Sequence, residues 1–168
     1  MNKKKILKKN IDLIVMDFDG VFTNNKVIVD EDGKESVVCS SSDGLAITHM
    51  NKFEKNIKMF VLSTEKNNVV KKRANKLHIK AYTGKSNKLI FLINYLKINN
   101  IKSSRCLYLG NDINDYDAMK ICRYRACPSD SHPLIKKIAT NILKAKGGDG
   151  VVRELIERTI NCKLVDRP

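Results

Sequence analysis

Two carboxylates two residues apart, Asp17 and Asp19, stand where the apolar run "DLIVMD" gives way to "FDGVFT". Later apolar runs end in the same way: Ser63, Thr64 and Glu65 follow "IKMFVL", and Asn111, Asp112 and Asp115 follow "RCLYLG". Carboxylates brought to one place raise one another's pKa unless a cation joins them. A hard divalent ion, most simply Mg2+, meets that need, because it prefers oxygen ligands and keeps water that a phosphate can replace. Lys88 adds a positive side chain able to pair with an aspartate and with a phosphate oxygen. An Asp nucleophile, a second Asp, a hydroxyl, a lysine and a metal together serve phosphoryl transfer through an aspartyl-phosphate. In that chemistry Asp17 attacks phosphorus, while Asp19 protonates the leaving oxygen and then activates water. Gly20 lets the chain turn sharply so that both carboxylates face the metal. The predicted catalytic residues are therefore Asp17, Asp19, Ser63 and Lys88. Each piece alone has a plainer explanation: Asp-x-Asp-Gly is common in turns, Lys88 could be a solvated lysine at a helix start, and Ser63 or Thr64 could cap a helix. Their joint occurrence, in order, is what points to a site.

Such residues act together only if the fold gathers them. Apolar runs and helical patterns alternate along the chain, which predicts an α/β fold with a parallel sheet flanked by helices. Strands are predicted at 12–17, 57–63, 79–82, 105–110 and 123–127, and a hairpin at 26–38 with Gly33 in its turn. Helices are predicted from Asp43 or Gly44 to about Phe53, over 66–77, 87–98, 114–121 and 133–139, and from about Gly150. In an open parallel sheet the ligand crevice lies outside the carboxyl ends of the strands, where the polar residues above fall.

The 168 residues suffice for one domain with a full core and are too few for two ordinary ones. No apolar run approaches a membrane-spanning length, and the basic segment 1–10 lacks the features of a secretory signal, so the chain is expected in the cytoplasm. The five cysteines are scattered and form no Cys-x-x-Cys pair, which argues against a disulfide framework or a zinc site. The 32 Lys and Arg against 18 Asp and Glu give a net charge of +14. These cations are spread out with few aromatics between them, which reads as a compositional bias rather than nucleic-acid binding, and a positive field would also attract a small anionic substrate.

"MDFDGVFT", "VLST", "GKSNKL" and "GNDINDYDAM" resemble the four motifs of the haloacid dehalogenase superfamily of phosphatases. "DGVFTNNKVIVDEDGKE", "SSDGLAI", "SDSHPLIKKIA" and "GGDGVVRELIE" resemble more narrowly its capless subgroup, which includes the 3-deoxy-octulosonate 8-phosphate phosphatases and phosphatase-like domains of acylneuraminate cytidylyltransferases. The resemblance covers nearly the whole chain. It implies a Rossmann-like sheet without a cap domain, and the short spans between motifs agree with that. It also implies a homotetramer in which hairpins (here 26–38) associate and a glycine-rich C-terminal segment (here 147–153, within the tail 147–168) closes over a neighbour's site. In many relatives Asp follows the glycine of the fourth motif, where this chain has Asn111. Asn offers only a neutral oxygen, so the metal charge is assigned to Asp112, in a set of Asp17, Asp19, Asp112 and Asn111, with Asn111 as ligand or neighbour. Asp115 is assigned to orienting Lys88 or a water on the metal. Octulosonate phosphatases carry Gly-Arg after the second motif, whereas this chain has Thr64 and Glu65. With Arg73 and Lys76, this resembles the 2-keto-3-deoxynononate 9-phosphate phosphatases, and implies that Thr64, Glu65, Arg73 and Lys76 contact the substrate. The expected activity is Mg2+-dependent hydrolysis of a phosphorylated nine-carbon ulosonic acid, with the eight-carbon acid as alternative. Alternatives of another class are a receiver-like phosphoryl-accepting domain and a non-catalytic oligomerisation module.

Overall fold

Strand β1, Leu13–Met16, is wholly buried and alternates between two cores: Leu13 and Val15 face one, Ile14 and Met16 the other. A strand apolar on both faces must be covered by helices on both faces. The computed structural model, which describes residues 10–160, shows that arrangement. After β1 come a small hairpin of β2 (Ile28–Val29) and β3 (Glu35–Ser36), then α1 (Ser41–Phe53), β4 (Lys58–Leu62) and α2 (Asn68–Lys76). The chain continues through β5 (Lys80–Tyr82), α3 (Lys88–Ile98), β6 (Cys106–Leu109), α4 (Tyr116–Ile121) and β7 (Tyr124–Cys127). It closes with α5 (Pro133–Ile138), β8 (Asn141–Ile142) and α6 (Val151–Ile160).

Six parallel strands lie in the order β5-β4-β1-β6-β7-β8. The chain winds outward from β1 to one side, then crosses to β6 on the other, so the switch point of the sheet lies at β1. The carboxyl ends of β1, β4 and β6 are adjacent there. No inserted cap domain occurs among the described residues.

The predicted elements are present with shifted ends. Helix α1 starts before Asp43 because the Ser40 hydroxyl accepts the amide of Ser42 and caps it. Strand β8, paired with Ala126 and Cys127, was not anticipated. In the hairpin, Asp30 accepts the amides of Asp32 and Lys34, and Gly33 takes φ +76°.

Residues 147–153, expected to close over a neighbour's site, pack within their own subunit against the loop that follows β1. Gly148 N–H donates to the Val21 carbonyl at 2.9 Å, and a Cβ on Gly147 would lie 2.2 Å from the Gly20 carbonyl oxygen. Arg153 N–H then donates to buried Asp43 at 2.8 Å, and α6 packs on α1. The glycines are needed because this strand of chain passes directly beneath the loop that follows β1. The segments 1–9 and 161–168, including most of the predicted basic N-terminus and the end of the tail, lie outside the described residues.

Candidate active site

The loop after β1 is wound tightly: the Phe18 carbonyl accepts the amides of Val21, Phe22 and Thr23, and Gly20 adopts φ +74°. A side chain at Gly20 would be strained at that φ and would also meet the Asn111 amide group at 1.9 Å. The Thr23 hydroxyl accepts the amide of Gly20 and also hydrogen-bonds the Asp19 side chain. The turn thus aims Asp17 and Asp19 toward the end of β6.

Asp17 is 4 % exposed and Lys88 2 %. Lys88 Nζ lies 2.7 Å from Asp17 Oδ1 and 2.8 Å from Asp115 Oδ1. Lys88 reaches this position because Asn87 caps α3, its side chain accepting the amide of Ile90. Asp115 is fully buried and is held by three further donors. The Tyr108 hydroxyl reaches Oδ1 at 2.9 Å, and the amides of Asn111 and Asp112 reach Oδ2 at 3.0 and 3.4 Å. Gly110 is required here, since a Cβ would lie 2.5 Å from Asp115 Oδ2. Asp115 therefore contacts Lys88 and the backbone rather than the open cleft. Asp17 Oδ1 also accepts the Phe18 amide at 2.8 Å, leaving Oδ2 as the oxygen that faces outward.

The charges are poised by burial. Desolvation pushes the Asp17 carboxyl well up and the Asp115 charge adds to this, while Lys88 opposes both. Burial alone would lower Lys88, but Asp17 and Asp115 outweigh it and hold the ammonium charged. Asp19 is raised, first by burial and then by the charge of Glu65, with Lys88 and Thr23 opposing. A carboxyl raised in this way is suited to carrying a proton to a leaving group.

A cleft of about 410 Å³ opens above these groups, lined by Asp17, Asp19, Thr64, Glu65, Asn111 and Asp112 among others. The structure thus brings six of the predicted residues to one opening. Lys88, Ser63 and Asp115 are buried and do not line it; the Ser63 hydroxyl accepts the Glu65 amide at 3.0 Å. Arg73 and Lys76 are placed elsewhere. Arg73 donates to the Ser40 carbonyl at 2.9 Å, and Lys76 is exposed at the end of α2. In its own subunit neither residue borders the cleft.

The four residues of the expected metal set, Asp17, Asp19, Asp112 and Asn111, all line this cleft. Among the described residues no three His, Cys, Asp or Glu side chains form a group able to hold an ion by themselves. Asp112 is engaged locally, its Oδ1 accepting the Ile113 amide at 2.7 Å. Asn111 Oδ1, in contrast, is buried without a hydrogen-bond partner, an orphaned acceptor beside two carboxylates. Such a site fits Mg2+, which takes few protein oxygens and retains water. Asp17 and Asn111 would hold it, with Asp19 and Asp112 at the same opening. A bound ion would neutralise charge developing on a phosphoryl group.

Sequence reasoning missed Tyr108 and Thr23. A buried tyrosine needs a partner for its hydroxyl, which is the signal that Tyr108 carried. Thr23 carried none beyond its proximity to Asp19.

Comparison with known proteins agrees with this geometry. Residues 3–155 match the family of haloacid dehalogenase-like hydrolases. A curated relative, the 3-deoxy-D-manno-octulosonate 8-phosphate phosphatase of Salmonella typhi, is 29% identical over 150 residues, spanning 89% of this chain and 79% of the relative. Among solved structures, a candidate HAD family hydrolase from Streptomyces avermitilis superposes with a TM-score of 0.90 at 33% identity, covering 95% of this chain and 90% of that one. The 3-deoxy-D-manno-octulosonate 8-phosphate phosphatase of Moraxella catarrhalis, solved with magnesium, phosphate and KDO, gives 0.84 at 26% identity, covering 92% and 90%. With a tight Asp-Phe-Asp-Gly turn at the switch point of a parallel sheet, a buried lysine behind it and this match over most of its length, the chain belongs to the haloacid dehalogenase-like hydrolases.

Proposed function

We propose that this protein is a Mg2+-dependent phosphatase acting on the phosphate ester of an ulosonic acid, with 3-deoxy-octulosonate 8-phosphate as the first substrate to test. The observation that carries the reading is the buried Asp17–Lys88–Asp115 group, whose one outward carboxylate oxygen belongs to Asp17. Asp17 attacks phosphorus, and the alcohol leaves with a proton from Asp19. Asp19 then takes a proton from the water that attacks the phosphoryl group, releasing phosphate and restoring Asp17. Lys88 opposes the burial that raises the Asp17 carboxyl, favouring the ionised nucleophile before attack, and holds the side chain in place.

The relatives favour the eight-carbon acid over the nine-carbon acid expected from the sequence. The nine-carbon reading keeps one specific support: Thr64 and Glu65, two of the four residues that motivated it, border the cleft, whereas Arg73 and Lys76 do not. A receiver-like role would need the accepting carboxylate after a strand in the middle of the chain, where β4 is followed by Ser63. The exposed apolar side chains Val27, Ile28, Val29 and Val38 on and beside the hairpin support the homotetramer as part of this proposal.

The test is kcat/KM with Mg2+ on eight- and nine-carbon ulosonic acid phosphates, common sugar phosphates and an aryl phosphate. A preference of at least about tenfold for one ulosonic ester is expected. Equal rates on all esters would refute the substrate assignment, and no turnover of any would refute the phosphatase reading.

A further inference from the structure

The cleft continues into a second, smaller cavity of about 90 Å³ between the hairpin and α2, with Asp19, Val27 and Glu65 common to both. Its volume is about that of three waters, room for a short stretch of a ligand chain. Val37, Val69 and Val70 form apolar walls, and Glu35 and Asn67 supply the polar edge opposite Glu65.

Glu35 lies on an exposed two-residue strand, yet its side chain is fixed. Asn67 Nδ2 donates to Glu35 Oε2 at 2.6 Å, while Asn67 Oδ1 accepts the Val69 amide at 3.0 Å and caps α2. Asn67 is thus used at both ends, and among the described residues Glu35 Oε1 takes no hydrogen bond. The carboxylates of Glu35 and Glu65 are acceptors only. A second carboxylate entering this cavity would be repelled, whereas hydroxyl groups on a carbon chain would find acceptors on one side and apolar wall on the other.

We propose that this cavity receives the hydroxyl-bearing carbons next to the scissile ester, and that Glu35, aimed by Asn67, selects a polyhydroxylated leaving group. The substrate's own carboxylate is then directed away from the cavity. This rests on the phosphatase reading and adds to it the orientation of the leaving group and a residue that sets specificity.

The test compares wild type, Glu35→Ala and Glu35→Gln on an ulosonic acid phosphate and on an aryl phosphate that has no hydroxyls. Losing one hydrogen bond to a charged acceptor predicts a fall in kcat/KM of about 10- to 100-fold for Glu35→Ala on the hydroxylated ester. Aryl phosphate turnover should stay within about twofold, because that leaving group does not use the contact. Glu35→Gln, which preserves shape and one acceptor oxygen, should recover part of the loss. Equal losses on both esters would make Glu35 a structural residue, and unchanged activity on both would make it irrelevant; either overturns the proposal. Wild-type enzyme that hydrolyses the aryl ester but shows no preference for the hydroxylated one would also overturn it, while leaving the phosphatase reading in place.

Discussion

Replacing Lys88 with Met tests how the buried charges are balanced. Lys88 is 2 % exposed and serves two carboxylates at 2.7 and 2.8 Å. Removing it strands both, but unequally: Asp115 keeps three donors, whereas Asp17 keeps only the Phe18 amide. Breaking a buried ion pair from one side costs about 3–5 kcal/mol, a large share of the roughly 5–15 kcal/mol that stabilises a domain of this kind. Lys88→Met should therefore lose about 3–5 kcal/mol in urea unfolding at pH 7 with chelator present, and should have no detectable phosphatase activity. Asp17→Asn alone leaves a neutral Lys88–Asp115 pair and should cost only about 1 kcal/mol. Adding it to Lys88→Met removes the stranded charge and should recover about 2 kcal/mol, so the two substitutions will not be additive. A loss below about 1 kcal/mol for Lys88→Met, or no recovery in the double variant, would refute this account of the charges.

Three further outcomes follow from other contacts. Asp43 is buried between α1 and α6, and its pKa is pushed up from 3.8 to about 6 by desolvation, against the amides of Arg153 and Val152. Because the folded form holds this proton more tightly, its contribution is fully present below pH 3.8 and is lost as pH rises through 6, about 3 kcal/mol in all. Asp43→Asn should flatten that part of the stability profile measured by urea titration, and an unchanged profile would contradict it. Gly20→Ala, placing a Cβ 1.9 Å from the Asn111 amide at a left-handed φ, should cost about 1–2 kcal/mol and lower kcat/KM by about 100-fold, checked by unfolding and by kinetics. Chelation should abolish activity and Mg2+ restore it, and Asn111→Ala should raise the Mg2+ needed for half-maximal rate by about tenfold or more.

Much of this was legible because it is written in local patterns. The doubly buried strand at 13–16 and the glycines at 20 and 110 place Asp17, Asp19 and Asn111 without long-range information. Strand β8 was not legible, since two residues carry no periodicity and are strand only through pairing with β7. Arg73 was assigned to the substrate from the resemblance to the 2-keto-3-deoxynononate 9-phosphate phosphatases. Its actual partner is the Ser40 carbonyl 33 residues away, fixed by how α1 and α2 pack. The glycines of the "GGDG" run were assigned to a segment closing over a neighbour, and their close approach beneath the loop at Gly20 is a use that only tertiary structure reveals. The second cavity was invisible for the same reason: Glu35 and Asn67 are 32 residues apart and each, alone, is an ordinary turn or cap residue.

The most direct measurement is chemical capture of the covalent intermediate. Enzyme turning over substrate with Mg2+ is quenched in acid, treated with borohydride, and its peptides are examined by mass spectrometry. An acyl phosphate on Asp17 is reduced to homoserine, so homoserine is expected at position 17 and none in Asp17→Asn. Reduction at another carboxylate, or turnover that leaves position 17 unmodified, would contradict it.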